Sequence, residues 1–236
     1  MTIEAHERLI FALDVPSSDE AKRLLDRVGD AVGFVKIGLE LFTAAGPDIV
    51  RWAIAQNKRV FLDLKLYDIQ ETVKRATAVA AELGTTFLSV HATGQTVRAA
   101  VEGRGKSPMK ILAVTVLTSF SETDLQETGV ADSIPTTVLR RASLAAASGA
   151  DGVVASGGEA AMIRKALGRD RLIVIPGIRP AGKAHDDQVH VTTPAGAITA
   201  GADYLVVGRP IRDAADPVAA AHAIQSEIEV ALTSGG

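Results

Sequence analysis

The chain has 236 residues, 47% of them hydrophobic and 22% charged, a balance that supports a large buried core in a globular fold. Its formal net charge of −3 provides no global basic field, which argues against nucleic-acid binding and requires any anionic ligand to be held by a local arrangement. Cysteine is absent, which excludes disulfides, thiol nucleophiles and cysteine-ligated metals. With no apolar span of about 18 residues and no signal-peptide pattern, the expectation is a soluble, cytoplasmic protein with no membrane segment.

In chain order, residues 9–15 read as a first strand, followed by a helix over Ser18–Val28 behind a serine-rich cap. Further strands are expected over residues 33–38, 59–65, 86–92, 110–118, 152–156, 172–178 and 204–211, with helices over 70–83, 135–148 and 217–232. Asp216-Pro217 fits the start of the last helix, Asp as N-cap and Pro at the first helical position. Eight strand–helix units average about 30 residues each, the size of a βαβ repeat. The strands are apolar on both faces, as a parallel sheet covered by helices requires. The expected fold is α/β, a (β/α)8 TIM barrel forming a single domain over residues 1–236, with residues 1–7 and 234–236 as frayed ends. A doubly wound open sheet is the main rival. It is disfavoured because the first strand runs into Leu13-Asp14-Val15-Pro16-Ser17 without a glycine fingerprint.

Barrel active sites form at the C-terminal strand ends. Those ends carry Asp14, Lys36, Asp63 with Lys65, Ser89 with His91, Thr115 with Thr118, Ser156, Gly177 with Arg179, and Gly208 with Arg209. The third strand, Val60-Phe61-Leu62-Asp63-Leu64-Lys65-Leu66, is the most informative. Period-two alternation puts Leu62, Leu64 and Leu66 against the helices and Asp63 and Lys65 in the lumen, where charges are costly unless paired. A buried pair that only ties the barrel together is the bland alternative. Lys36 on the neighbouring strand and Asp68 just beyond extend the pair to an array of alternating sign: Lys36, Asp63, Lys65, Asp68. Two carboxylates favour the ammonium form of Lys65, which suits a proton donor and not a Schiff-base nucleophile.

Ile175-Pro176-Gly177-Ile178-Arg179 and Val207-Gly208-Arg209-Pro210 stand where barrels commonly hold phosphate, with glycines for backbone approach and arginines as bidentate forks. The polar stretch between Arg179 and Gln188 reads as a loop able to close over a ligand. His91 is expected to be a satisfied structural histidine. His6, His185, His190 and His222 lack metal-ligand spacing, Asp186-Asp187 reads as a solvated loop face, and Trp52 and Phe42 as helix packing.

The segment Asp63-Leu-Lys65-Leu-Tyr-Asp68-Ile-Gln-Glu-Thr72 resembles the D-x-K-x-x-D-I-x-x-T signature of orotidine 5′-monophosphate decarboxylases. So do Leu9-Ile-Phe-Ala-Leu-Asp14, Phe34-Val-Lys36-Ile-Gly, Val116-Leu-Thr118-Ser, Pro176-Gly-Ile-Arg179 and Tyr204-Leu-Val-Val-Gly208-Arg209. The resemblance implies a decarboxylase with no metal or organic cofactor, acting on a nucleotide. It implies that Lys65 protonates C6 of the pyrimidine, Asp63 lies against the substrate carboxylate, and Lys36 completes the charge network and touches the ribose. It implies that Asp14 binds ribose hydroxyls, Thr118 contacts the ring, and Gln188, Gly208, Arg209 and Arg179 hold the phosphate. It further implies a homodimer in which Asp68 and Thr72 enter the partner's site. Gln70-Glu71 departs from the Pro-Asn common at that point of the signature. A Mg²⁺-dependent sugar-phosphate enzyme on a similar barrel is the nearest rival, but it requires a Glu at the end of the second strand, where this chain has Lys36. A non-catalytic phosphate-ligand binder would be expected to have lost part of the array.

Overall fold

A computed structural model of the protein describes residues 3–180 and 192–234. Eight parallel strands follow one another around a closed barrel: β1 Leu9–Ala12, β2 Phe34–Gly38, β3 Arg59–Leu66, β4 Phe87–His91, β5 Lys110–Val114, β6 Gly152–Val154, β7 Leu172–Pro176 and β8 Tyr204–Val207. Closure comes from β1 pairing with β8, with Leu9 opposite Leu205 and Phe11 opposite Val207. Every connection carries a helix or helical turn; the one from β7 to β8 includes the undescribed residues 181–191 and then the helix Pro194–Thr199. The fold is a (β/α)8 barrel.

Alternation divides each strand between two cores. Leu9, Phe11 and Leu13 pack outward with the helices, while Ile10 and Ala12 face the lumen. The lumen floor is aromatic. Phe34, Phe61, Phe87 and Tyr204 meet there, with Phe87 edge-on to Tyr204 at 5.1 Å between ring centroids and 5.0 Å from Phe34. One period-two step towards the C-terminal ends, the same inward faces change character: Phe34 is followed by Lys36, Phe61 by Asp63, and Phe87 by Ser89 and then His91. The polar layer therefore sits on a dry floor that shields it from water on one side.

Several strands are shorter than their apolar runs. β5 ends at Val114 because its neighbour β6 supplies partners only to Leu112–Val114. β8 ends at Val207 because Pro210 cannot extend a ladder; its fixed φ suits the helical turn Arg209–Arg212 that follows Gly208. The helix Ser18–Val28 is capped as expected, the Ser17 hydroxyl accepting from the Glu20 amide at 3.2 Å. The helices Gln70–Glu82, Ile134–Ala147 and Pro217–Ser234 lie within two residues of the expected bounds.

The amino-terminal segment is not a frayed end over its described part. Ala5–Arg8 forms a 3-10 turn that closes the bottom of the barrel. Arg8 donates to the Asp203 carbonyl at 3.1 Å, Arg59 donates to the Glu7 carbonyl at 3.1 Å, and Ile3 packs against the lumen cluster. Composition could not reveal this, because the anchoring groups are main-chain carbonyls and a residue some 50 positions distant. Among the described residues no helix is long and apolar enough to cross a membrane.

The helix carrying Thr72 is held by a close backbone approach. A Cβ at Gly103, in the helix Gly94–Arg104, would lie 2.1 Å from the Lys74 carbonyl oxygen. Gly to Ala in an open helix stabilises by about 1 kcal/mol. Here Gly103→Ala is expected to destabilise by about 1–3 kcal/mol, because the two helices must separate. Urea unfolding of the two proteins checks the sign.

Candidate active site

The mouth of the barrel holds a cavity of about 320 Å³. Asp14, Lys36, Asp63 and Lys65 line it together with Gly177, Arg179, Gly208, Arg209, Arg212, Thr118 and the apolar side chains of Phe61, Val114, Val154 and Val206. Acidic and basic side chains, with glycines beside them, thus converge on one space from strands far apart in the chain.

The charges form a chain of alternating sign. Lys36 Nζ lies 2.7 Å from Asp14 Oδ1 and 3.8 Å from Asp63 Oδ2, and Lys65 Nζ lies 2.8 Å from the same Asp63 oxygen. Asp63 Oδ1 accepts from the Ser89 hydroxyl at 2.7 Å. Asp63 is only 8% exposed, so both oxygens are occupied in a site where a lone carboxylate would be costly. Burial alone would raise its pKa. The two ammonium groups, with the hydrogen bonds from Lys65 and Ser89, outweigh burial and hold the carboxyl below its ordinary value.

Lys65 reaches this position through an irregular backbone. Leu62 pairs with Leu88 and Leu66 with Val90, so β3 uses four residues where β4 uses two. Within that bulge Lys65 has φ = 50°, a left-handed conformation that a lysine rarely adopts. Leu64 and Leu66 still pack outward, as strand alternation predicted, and Lys65 still lines the cavity. The outcome matches the simple reading, although a regular strand is not what produces it.

The members of the array differ in one respect from the expected Lys36, Asp63, Lys65, Asp68. Within one chain the outer acid is Asp14. Asp68 is exposed, its carboxylate accepting from the adjacent Ile69 amide at 2.6 Å, and among the described residues it pairs with no lysine. Thr72 is exposed on the helix Gln70–Glu82 and does not line the cavity. Asp14, Lys36, Asp63, Lys65, Thr118, Arg179, Gly208 and Arg209 do line it. Gln188, His185, His190, Asp186 and Asp187 lie outside the described residues, as does most of the expected closing loop.

Two contributors escaped the sequence reading. Arg212 lines the cavity and donates to the Asp14 carbonyl at 2.9 Å; its i,i+3 spacing from Arg209 on a helical turn was the available signal. Gly38 leaves the room in which Lys36 and Asp14 meet, since a Cβ there would lie 2.9 Å from Lys36 Nζ. Nothing local in the sequence marks that approach. His91, expected to be hydrogen-bonded, instead faces the Tyr67 ring at 5.3 Å and makes no side-chain hydrogen bond among the described residues. Its pKa is lowered by burial first, then by Arg141 and Lys65. Glu40, the nearest acid to the end of β2, is exposed on the helix Leu39–Ala45. No group of three or more His, Asp or Glu placed to hold a metal occurs among the described residues.

The sequence profile described as the orotidine 5′-phosphate decarboxylase / HUMPS family matches residues 7–224. The chain belongs to this family. It is 54% identical over 222 residues to the orotidine 5′-phosphate decarboxylase of Rhodopseudomonas palustris (strain HaA2), covering 94% of each chain. It is 53% identical to the enzyme of that name from Methylobacterium sp. (strain 4-46), covering 94% of this chain and 95% of that one. Among solved structures, the orotidine 5′-phosphate decarboxylase of Lactobacillus acidophilus superposes with a TM-score of 0.83 at 40% identity, covering 93% of this chain and 98% of that one.

The lowered His91 pKa has a consequence for stability. Between the ordinary value of 6.5 and its lower folded value, the unfolded chain binds a proton that the folded chain does not. Stability from this group therefore falls as pH falls below 6.5 and is retained above it. His91→Gln is expected to reduce the stability difference between about pH 7.5 and about pH 5.5, measured by urea unfolding at each.

Proposed function

We propose that the protein decarboxylates orotidine 5′-monophosphate to uridine 5′-monophosphate in de novo pyrimidine biosynthesis, without a metal or organic cofactor. The observation that carries this reading is the chain Asp14–Lys36–Asp63–Lys65, lining one cavity with Gly208 and Arg209. The names of the close relatives support it.

In this reading the bond from C6 to the carboxylate breaks, carbon dioxide leaves, and the electron pair stays on C6. The Lys65 ammonium stabilises that charge and delivers its proton to C6, so Lys65 ends neutral and is reprotonated from solvent. Asp63, ionised beside the substrate carboxylate, disfavours the ground state and keeps Lys65 aimed. Lys36 offsets Asp63 and reaches the ribose, Asp14 takes ribose hydroxyls, and Thr118 contacts the ring. Arg179, Gly208, Arg209 and Gln188 hold the phosphate, whose binding free energy is spent on orientation and closure. Lys36 at the end of β2, already paired with Asp14, favours decarboxylation over a Mg²⁺-dependent sugar-phosphate reaction, where a carboxylate is needed.

The working unit is a homodimer of one barrel domain per chain, in which Asp68 and Thr72 serve the partner's site. Asp68 is exposed between Tyr67, 68% exposed, and Ile69, 72% exposed, an apolar flank suited to an interface. A cytoplasmic location accords with the lack of cysteine.

An absorbance assay with orotidine 5′-monophosphate and no added metal tests the activity; EDTA is expected to leave it intact, and loss restored by Mg²⁺ would favour the sugar-phosphate reading. Lys65→Ala is expected to lower turnover by at least about 10²–10⁴-fold while uridine 5′-monophosphate still binds. Mixing inactive Asp14→Ala and Asp68→Ala chains is expected to restore part of the activity. Confirmed heterodimers without recovery would count against shared sites.

A further inference from the structure

Ser89 stands at the joint between the two irregularities of the site. It is fully buried on β4 and does not line the cavity. Its hydroxyl donates to Asp63 Oδ1 at 2.7 Å and accepts from the Lys65 backbone amide at 2.9 Å. A hydroxyl has one donor and two acceptor positions, so one oxygen serves both neighbours without competition.

Both contacts replace something the barrel would otherwise lack. In the bulge of β3 the ladder to β4 is interrupted between Leu62 and Leu66, and Ser89 Oγ receives the Lys65 amide in the gap. A left-handed non-glycine residue is intrinsically unfavourable and persists only where its surroundings hold it. The same hydroxyl occupies one Asp63 oxygen, which leaves the other, Oδ2, for Lys65 at 2.8 Å and Lys36 at 3.8 Å. A side chain that does not line the cavity thus contacts both Asp63 and the backbone of Lys65.

We propose that Ser89 is a positioning residue for the reaction: its hydroxyl holds the strained turn that aims the Lys65 ammonium and fixes the orientation of the Asp63 carboxylate. The proposal rests on the decarboxylase reading for its kinetic consequences and on geometry alone for its structural one. The charged groups around Asp63 are Lys36 from β2 and Lys65 from β3. Asp14, beyond β1, acts through Lys36. His91 lies farther along β4, near Lys65, with Arg141 of the helix Ile134–Ala147 beside it.

Two variants separate hydrogen bonding from packing. Ser89→Ala removes the hydroxyl, and Ser89→Cys keeps the shape with a weak donor. Both are expected to lower kcat by roughly 10- to 100-fold with KM for the nucleotide little changed, because a hydrogen bond to a charged group is lost away from the ligand. In both, the acid limb of the kcat profile moves to higher pH. Carbon-13 NMR of the Asp63 carboxyl, which needs no activity, is expected to show its titration moving to higher pH as well. Wild-type kcat in either variant overturns the proposal. So does lower thermal stability with unchanged turnover per active site and unchanged Asp63 titration, the signature of a merely structural serine. Should Ser89→Ala not fold, Ser89→Cys carries the test. An inactive wild-type chain would remove the decarboxylase reading, and the Asp63 titration would still decide the role of Ser89.

Discussion

A carboxylate buried at the mouth of a barrel must be paired, and the pairing of Asp63 organises this structure. The lumen below it is aromatic and dry, which strengthens every charge interaction above and makes an unpaired one expensive. Lys36 and Lys65 supply the compensation from adjacent strands, and Asp14 compensates Lys36 in turn. Each partner is needed because of the previous one. The array is a sequence of obligations that ends at Asp14, whose side chain is exposed enough for water to complete its solvation.

This arrangement explains why the backbone is irregular where it is. A regular β3 would put Asp63 and Lys65 on one face at a fixed separation along the strand. The bulge and the left-handed Lys65 fold the ammonium back onto Asp63 while leaving it on the cavity wall. The left-handed backbone at Lys65 is met by Ser89, whose hydroxyl accepts from the Lys65 amide. Gly177 and Gly208, just after β7 and β8, and Arg209 and Arg212 of the turn Arg209–Arg212 line the same cavity.

Much of this was legible in the order of residues. Alternating apolar runs and Ala-rich helical stretches required a covered parallel sheet, and an Asp-x-Lys flanked by leucines had to turn its charges into the lumen. Gly-x-Arg and Gly-Arg at the seventh and eighth strand ends were expected at the barrel mouth, and Gly177, Arg179, Gly208 and Arg209 do line the cavity there. Hydrophobic period and local chemistry suffice for such features, since each depends on neighbours a few positions away.

What the chain order could not show depends on distances between remote segments. Asp14 and Lys36 meet only because β1 lies beside β2 and Gly38 has no side chain to separate them. Ser89 reads as an ordinary strand serine until β4 is placed against the bulge of β3. His91, read as a satisfied histidine, instead packs against the Tyr67 ring, a contact that depends on where the end of β4 lies against the segment after β3. The amino-terminal turn became a plug because the Asp203 carbonyl was there to receive Arg8 and Arg59 of β3 was there to donate to the Glu7 carbonyl. Composition and periodicity therefore determine which residues must face inward. Closure of the barrel decides which of them touch, because only a folded sheet brings side chains from separate strands within hydrogen-bonding range.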